Sequence, residues 1–465
     1  MAYSSSDVHL SPTCAAFERA KLLTHRTMRS IVWPSHSSKV RSPQRDLLSP
    51  LHTAGCYFIL LFVVRPLWDV GFGSPFLGDW PFERDTLLAF ERSLLYAFCG
   101  LCLFLLGYTS HLGKKIGSNL PRLPLRWNRV ASSMTIGLLT FLGAAFLGAL
   151  AAFHGGWNTF VADRAAALTA PGQEYLRQGV ALIPLAFLLA LTLSIGSRRR
   201  AWLVVVAGGL ILAALGIASG SKFEVLYPVL ATVMAKHYLG GLRIGVRHVV
   251  VLALAAVVAF PILNNLRHSD SFESALSDTT WSATDVSQHL MARFYGIDAL
   301  TLCVRDTPAV LDFQCGGTIT PILTAWIPRA LYPEKPIVSF GKTFAELYMG
   351  EHFAGTGTSA SPTLLGDAYI NFHVPGILIV SFLYGVLVRS LYTWTILLHF
   401  GAPAVFLYLA MLPLCVTAWE GAVGATLVLA AAKIVPLLVI IWQAGDWRYC
   451  PLAPAHVNSR SGQPS

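Results

Sequence analysis

Residues 130–152 read VASSMTIGLLTFLGAAFLGALAA, twenty-three positions without an Asp, Glu, Lys or Arg. At about 1.5 Å per residue a helix of that length crosses the roughly 30 Å hydrocarbon core of a bilayer. Inside hydrocarbon every backbone N–H and C=O must be paired within the protein, which a helix does by itself. Comparable apolar runs occur at 48–66, 87–109, 179–196, 201–219, 223–240, 246–264, 374–394, 400–418 and 422–442. Composition agrees with this pattern. Of 465 residues, 54% are hydrophobic and only 12% charged, and the mean hydropathy is +0.58. A soluble domain carries about 25% charged residues. Half that share leaves too little polar surface for a water-soluble globule, and the high hydrophobicity excludes a long disordered chain. The expected fold is an all-α polytopic membrane protein with about ten transmembrane helices.

The charge distribution orients that fold. The net charge is +10, from 34 Lys and Arg against 24 Asp and Glu. In a membrane protein this excess reads as topology rather than as nucleic-acid binding, because cytoplasmic loops retain basic residues. With the N-terminus inside, the cytoplasmic segments hold 21 of the 34 basic residues. Among them are Lys114, Lys115, Arg122, Arg126 and Arg129 in one loop and Arg198, Arg199 and Arg200 in another. Residues 1–47 are polar, Ser-rich and basic without an apolar stretch, and read as a disordered cytoplasmic tail rather than a signal peptide. Met28 is an alternative start. The expected layout is seven spans over 48–264, a large outer loop over 265–373, three spans over 374–443 and a cytoplasmic tail over 444–465. Both termini are cytoplasmic. The outer loop carries 6 basic and 11 acidic residues. Its length far exceeds ordinary connections, which marks it as functional and containing short helices of its own.

Three stretches of that loop carry candidate chemistry. In residues 285–300, Asp285, His289 and Arg293 recur every four positions and share one helix face, with Leu290, Phe294 and Ile297 on the apolar side. The face is either a solvated charge ladder or a substrate-facing array. In Trp326–Pro336, three prolines stiffen a segment presenting Arg329 and Lys335, an anion clamp or an interfacial turn with snorkelling cations. Residues 366–376 bring Asp367, Tyr369, Asn371 and His373 to the start of the eighth span. There Asp367 either handles a proton or is an acid favoured by a helix N-terminus. Outside the loop, Lys222 and Glu224 follow the fifth span in a tight turn, and Arg267 follows the seventh. Lys433 interrupts the last span, at a cost of about 2.5–3.5 kcal/mol unless it finds a partner or water. Cys99 and Cys102, inside an apolar run, read as packing residues. Cys303 and Cys315 are the two cysteines of the outer loop, spaced so that a disulfide between them is permitted. No Asp-x-Asp pair or His and carboxylate cluster has metal-ligand spacing. No cofactor is implied.

Ser219–Glu224, Arg293–Gly296, Ile327–Pro336 and Gly366–Gly376, in that order and placement, resemble the O-antigen polymerase family of oligosaccharide repeat-unit polymerases. The resemblance spans roughly residues 90–440 and is most specific over 219–376. The family often has Glu where Asp367 stands. The resemblance implies a bacterial inner-membrane glycosyltransferase for O-antigen or exopolysaccharide that uses no nucleotide sugar. It would pass a growing glycan from undecaprenyl pyrophosphate to the non-reducing-end hydroxyl of a lipid-linked repeat unit at the periplasmic face. The implied partners are undecaprenyl-pyrophosphate-linked oligosaccharides, the bilayer, a chain-length regulator and a flippase.

Such a donor leaves as a pyrophosphate, and fixed cations stabilise the charge that develops on it. Lys222, Arg267, Arg293, Arg329 and Lys335 are the candidates. Asp367 or His373 would take the acceptor proton, with His289 and His352 behind them. Glu224, His289, Tyr369 and Asn371 would orient substrate. The chemistry so read is metal-independent. An O-antigen ligase or other lipid-linked glycan transferase shares the donor, and a polysaccharide transporter or flippase shares the lipid.

Overall fold

The computed structural model describes residues 46–72, 84–162, 174–219, 222–242, 244–245, 247–248, 251, 291, 293–327, 331–332, 334, 340–349 and 360–449. Residues 1–46 form one unit, outside the described residues apart from Asp46, and 47–465 form the other. Within the second unit the order is α1 (Pro50–Ile59), a π turn (Leu60–Val64), α2 (Arg65–Phe72), α3 (Arg84–Thr109) and α4 (His111–Asn119). Then come α5 (Arg129–Phe153), α6 (Trp157–Ala162), α7 (Glu174–Val180), α8 (Leu182–Ser194), α9 (Arg198–Ser219) and α10 (Lys222–Tyr238). They are followed by α11 (Gly296–Asp306), α12 (Gly341–Tyr348), α13 (Thr363–Tyr392), α14 (Ala402–Thr417) and α15 (Val423–Ala444).

Among the described residues there is no strand, and seven helices are long and apolar enough to cross a bilayer. They are Pro50–Trp68, Asp85–Thr109, Arg129–Phe153, Leu176–Ser194, Arg198–Gly216, Thr363–Leu398 and Val423–Ala444. The sixth and ninth apolar runs appear as the shorter helices α10 and α14, and the seventh, 246–264, lies largely outside the described residues. Outward faces are apolar: on α5, Val130, Met134, Phe141 and Phe153 are each more than two-thirds exposed. Apolar surface on this scale is consistent with a helical membrane protein.

Local sequence sets the helix ends. Asn128 caps α5, its side-chain oxygen accepting from the N–H groups of Val130 and Ala131 at 3.1 and 3.2 Å, which satisfies two of the donors a helix start leaves open. Proline at the first turn starts α1 and α14. At the same end of the molecule Trp127 pairs with Gly445, and the Asn128 N–H donates to Ala444 at 2.9 Å. The start of α5 is thereby tied to the finish of α15.

The tightest packing joins α3 to α13. A Cβ on Gly107 would lie 2.1 Å from the Phe382 carbonyl oxygen, and one on Gly385 2.2 Å from that of Phe104. Backbone therefore meets backbone, the arrangement that small residues allow between membrane helices. Glycines 113 and 117 of α4 extend the contact to Arg389 and Ser390, and the Arg389 guanidinium lies 5.2 Å from the centroid of the Tyr108 ring.

α13 is not straight. Phe372 (φ −138°, ψ 20°) and His373 (φ 56°, ψ −153°) break it into limbs 363–371 and 374–392. A Cβ on Gly376 would touch the Ala368 carbonyl oxygen at 2.2 Å. In a continuous helix those residues would stand about 12 Å apart. Gly100 of α3 faces Leu365 and Ser381 together. The limbs thus fold back on each other as a hairpin with its apex at Phe372 and His373. The sequence reading assigned 363–371 to the end of the outer loop. In the structure the segment is a short buried helix, which the expectation of short helices within the loop allows.

Cys303 and Cys315 are free thiols, and the disulfide that their spacing permitted is absent. Cys303 is buried on α11 against Gly366, while Cys315 is exposed in the turn before Gly316. Burial pushes the Cys303 thiol well above its ordinary value, with the Asp367 and Asp306 carboxylates adding to it. A maleimide is therefore expected to modify Cys315 in the native protein without reductant and Cys303 only after denaturation. Mass mapping of the labelled peptides checks this.

Candidate functional site

The first limb of the hairpin carries a closed polar network. The Thr318 hydroxyl donates to Asp367 Oδ1 at 2.7 Å, and the Val423 N–H donates to Oδ2 at 2.7 Å. The Asn371 amide donates to Thr318 Oγ1 (2.6 Å) and to the Asp367 carbonyl (2.7 Å), while its oxygen accepts from the Gly316 N–H at 2.9 Å. α15 begins at Val423 after Ala422, which has no side-chain cap of its own. Asp367 supplies that cap from another helix, a carboxylate against the positive end of the α15 macrodipole. Asp367 is wholly buried and Asn371 nearly so. Together they lock the 316–319 turn and the turn before α15 onto the hairpin.

That second turn holds Trp419 and Glu420. The Leu364 N–H donates to the Trp419 carbonyl at 3.1 Å. The indole is completely buried, with ring centroids 4.9 Å from Phe58, 5.2 Å from Phe104 and 4.9 Å from Tyr384. Glu420 follows the anchored Trp419 and leaves the core. Its Oε1 accepts a hydrogen bond from the Tyr57 hydroxyl of α1. Its Oε2 lies 3.9 Å from Arg293 Nη2. The Glu420 side chain is 17% exposed and that of Arg293 60%. Phe294 packs edge-on against Tyr57 at 6.2 Å. The Tyr295 hydroxyl accepts from the Ser361 N–H at 2.9 Å, and burial raises its pKa, so it stays protonated. One cation, one carboxylate and two phenols thus share a recess at the margin of an apolar bundle. α15 has 22 residues; at 1.5 Å each the recess stands about 30 Å from the Trp127–Gly445 end.

The sequence candidates separate into groups. Arg293 stands in the recess, and Asp367, Tyr369 and Asn371 are buried in the first limb behind it. Tyr369 stacks on Tyr96 at 5.9 Å, and its hydroxyl donates to the Thr307 carbonyl at 3.4 Å. His373 is exposed at the hairpin apex, 5.5 Å from the Phe313 ring and 5.1 Å from that of Tyr369. Along the first limb that apex is about 13 Å from Leu364, the residue that meets the Glu420 turn. Lys222 and Glu224 stand in the first turn of α10, with side chains outside the described residues. Arg267, His289, Arg329, Lys335 and His352 also lie outside them. Lys433 is partly buried in α15, close to Cys415 of α14.

Sequence reasoning missed Glu420 and Tyr57. The available signal was a lone acid between two apolar runs, in a stretch where Lys433 drew the attention. It also missed Arg65, which meets Asp298 of α11 at 3.4 Å with side chains 7% and 0% exposed. That buried pair fastens α2 to α11 immediately after Tyr295. Nearby, a groove of about 280 Å3 runs between α1, α2 and α3, with Phe58, Phe62, Leu67, Phe90, Leu94 and Phe98 among its walls. The walls are hydrocarbon and offer no group for bond chemistry. Among the described residues no three His, Cys, Asp or Glu side chains gather as a metal site would need.

The model of a domain of unknown function, DUF8712, matches residues 180–402, a little under half of the chain. That stretch includes Arg293 and the whole hairpin, and it ends before Glu420. Comparison with curated proteins and with solved structures found no match.

Proposed function

We propose that this chain is a membrane glycosyltransferase that polymerises lipid-linked oligosaccharide units, passing a glycan from undecaprenyl pyrophosphate to a sugar hydroxyl. The observation that carries the reading is Arg293. It is an exposed guanidinium beside a held carboxylate, in a recess of an otherwise apolar helical bundle. Arginine forks onto phosphate oxygens, and a partly dry site strengthens that contact as charge builds on the leaving group. Arg329, Lys335, Lys222 and Arg267 complete the cation set in this reading. The sequence resemblance of 219–376 to repeat-unit polymerases supports it.

The topology is part of the same proposal: ten spans, both termini cytoplasmic and a large loop outside. The positive-inside rule assigns the end bearing Lys114, Lys115, Arg122, Arg126 and Arg129 to the cytoplasm. The recess at the other end then faces the outer leaflet, where lipid-linked glycans without nucleotide donors are joined. A variant retaining Cys315 as its only cysteine is expected to react with a membrane-impermeant maleimide from the outer side of the inner membrane. Labelling from the cytoplasmic side alone would reverse the orientation.

Arg293→Ala and Arg329→Ala are each expected to abolish long-chain glycan, with about 10²–10³ loss in rate, as for removal of one electrostatic stabiliser. Protein levels should stay unchanged. Glycan ladders from a complemented deletion strain, with an immunoblot of the membrane fraction, read both quantities. A single-repeat ladder in the deletion strain marks a polymerase. Full-length glycan left on the carrier lipid marks a ligase.

A further inference from the structure

Of the four groups named from the sequence for taking the acceptor proton, His289 and His352 lie outside the described residues, and the geometry weighs Asp367 and His373 against a third described group, Glu420. Asp367 has no exposed surface, and its two oxygens already accept from Thr318 and Val423. A sugar hydroxyl reaches it only if the α15 cap is broken. His373 is exposed, but it stands at the hairpin apex, about 13 Å along the first limb from the residue that meets the Glu420 turn. Glu420 is both reachable and beside that cation.

Its arrangement is specific. A carboxylate has only acceptor sites, so the bond with Tyr57 is donated by the phenol and occupies Oε1. Tyr57 fixes the orientation of the group through Oε1 and leaves Oε2 to the ion pair. Oε2 faces Arg293 at 3.9 Å, too long for a hydrogen bond. Solvent-accessible ion pairs of this kind contribute about 0–1 kcal/mol. A pyrophosphate offers the guanidinium a bidentate, charge-assisted alternative. When the anion takes Arg293, Oε2 gives up its one ion-pair partner among the described residues and becomes an acceptor next to the departing group. The backbone beneath it does not move with the substrate, because the Glu420 N–H is bonded to Thr417 at 3.0 Å and Trp419 is anchored in the core.

We infer that Glu420 is the base of the transfer, a catalytic residue that touches the acceptor hydroxyl, with Tyr57 as its positioning residue. The inference rests on the glycan-transfer reading above. The acceptor O–H bond breaks and its proton passes to Glu420 Oε2. The oxygen's electron pair forms the bond to the anomeric carbon of the donor sugar. The anomeric C–O bond to the pyrophosphate breaks, and its electron pair leaves on the pyrophosphate oxygen beside Arg293. Glu420 then releases the proton to water.

The test uses the full-length chain in a deletion strain of its own host, together with purified protein in nanodiscs probed with undecaprenyl pyrophosphate. Glu420→Gln keeps an acceptor for Tyr57 and removes the base. It should lower long-chain glycan at least 10²-fold, the low end of a general base's contribution, while melting temperature and undecaprenyl pyrophosphate binding stay at wild-type values. Tyr57→Phe should lower turnover about tenfold, the order expected when one hydrogen bond of roughly 1.4 kcal/mol to a charged group is lost, again with the probe still bound. Glu420→Gln that supports wild-type glycan overturns the inference and leaves the reading intact. Glu420→Gln that loses melting temperature and probe binding along with glycan shows a structural residue and also overturns it. A deletion strain with unchanged glycans, together with wild-type protein that ignores undecaprenyl pyrophosphate, removes the reading itself and the inference with it.

Discussion

Asp367→Ala is expected to lower stability by about 3 kcal/mol or more, because each buried donor left without its acceptor costs about 1–3 kcal/mol. The donors are the Thr318 hydroxyl, the Val423 N–H at the start of α15 and the Asn371 amide, which also reaches Oδ1 at 3.3 Å, with the Gly424 N–H beside them. The Asp367 side chain has no exposed surface, so bulk solvent has no direct access to the donors it leaves behind. Asp367→Asn is expected to fare little better. Its amide group would face either the Val423 N–H or the Thr318 hydroxyl, setting donor against donor or reversing the hydroxyl that Asn371 needs. Glycan synthesis should fall in both variants, since the turn carrying Glu420 hangs from this network. Thermal melting in detergent, run beside the glycan ladder, tells positioning from catalysis. Loss of activity with an unchanged melting temperature would show that Asp367 handles a proton directly.

Gly385→Leu is expected to prevent the protein from accumulating in the membrane at all. A Cβ there would lie 2.2 Å from the Phe104 carbonyl oxygen, and a Cβ on Gly107 would lie 2.1 Å from the Phe382 carbonyl oxygen in the same seam. The obstructing atoms are backbone, so no rotamer change relieves the clash and α3 must separate from α13. Overpacking ordinarily costs about 1–3 kcal/mol, and more where the backbone must shift. Gly385→Ala meets the same carbonyl and should already reduce the level. Gly137→Ala, at a glycine of α5 with nothing within 4 Å, is the matched control and should leave accumulation unchanged. Fluorescence-detected size-exclusion chromatography of tagged variants compares the three.

Both effects depend on features that differ in how far they could be seen in the primary structure. The start of a span near 374 was legible from the apolar run that follows it, but the break at Phe372 and His373 was not. Nor was the direction of the chain before that break. Nothing in Thr363–Asn371 says whether it enters the bundle or leaves it, because apolar periodicity reports a buried face and not its partner. Arg293 was legible as a cation of the outer loop in a stretch resembling the repeat-unit polymerases, whereas its position in the turn before α11 was not. Glu420 was not, being one acid in a short connection, made distinctive only by Tyr57 from a helix more than 350 positions earlier.

The amino-acid sequence by itself determined that the chain is helical and suited to a bilayer. Those properties follow from local averages, hydropathy summed over about twenty residues and the cost of an unpaired backbone in hydrocarbon. Only the tertiary structure decided which polar residues meet. The Asp367 cap on α15, the Arg65–Asp298 pair and the Tyr57–Glu420–Arg293 recess each join residues far apart in the chain. Their pairing is set by backbone approach at glycines and by the fold-back at Phe372 and His373. A contact between distant residues has no local signature, because its energy exists only once the helices that carry it have packed.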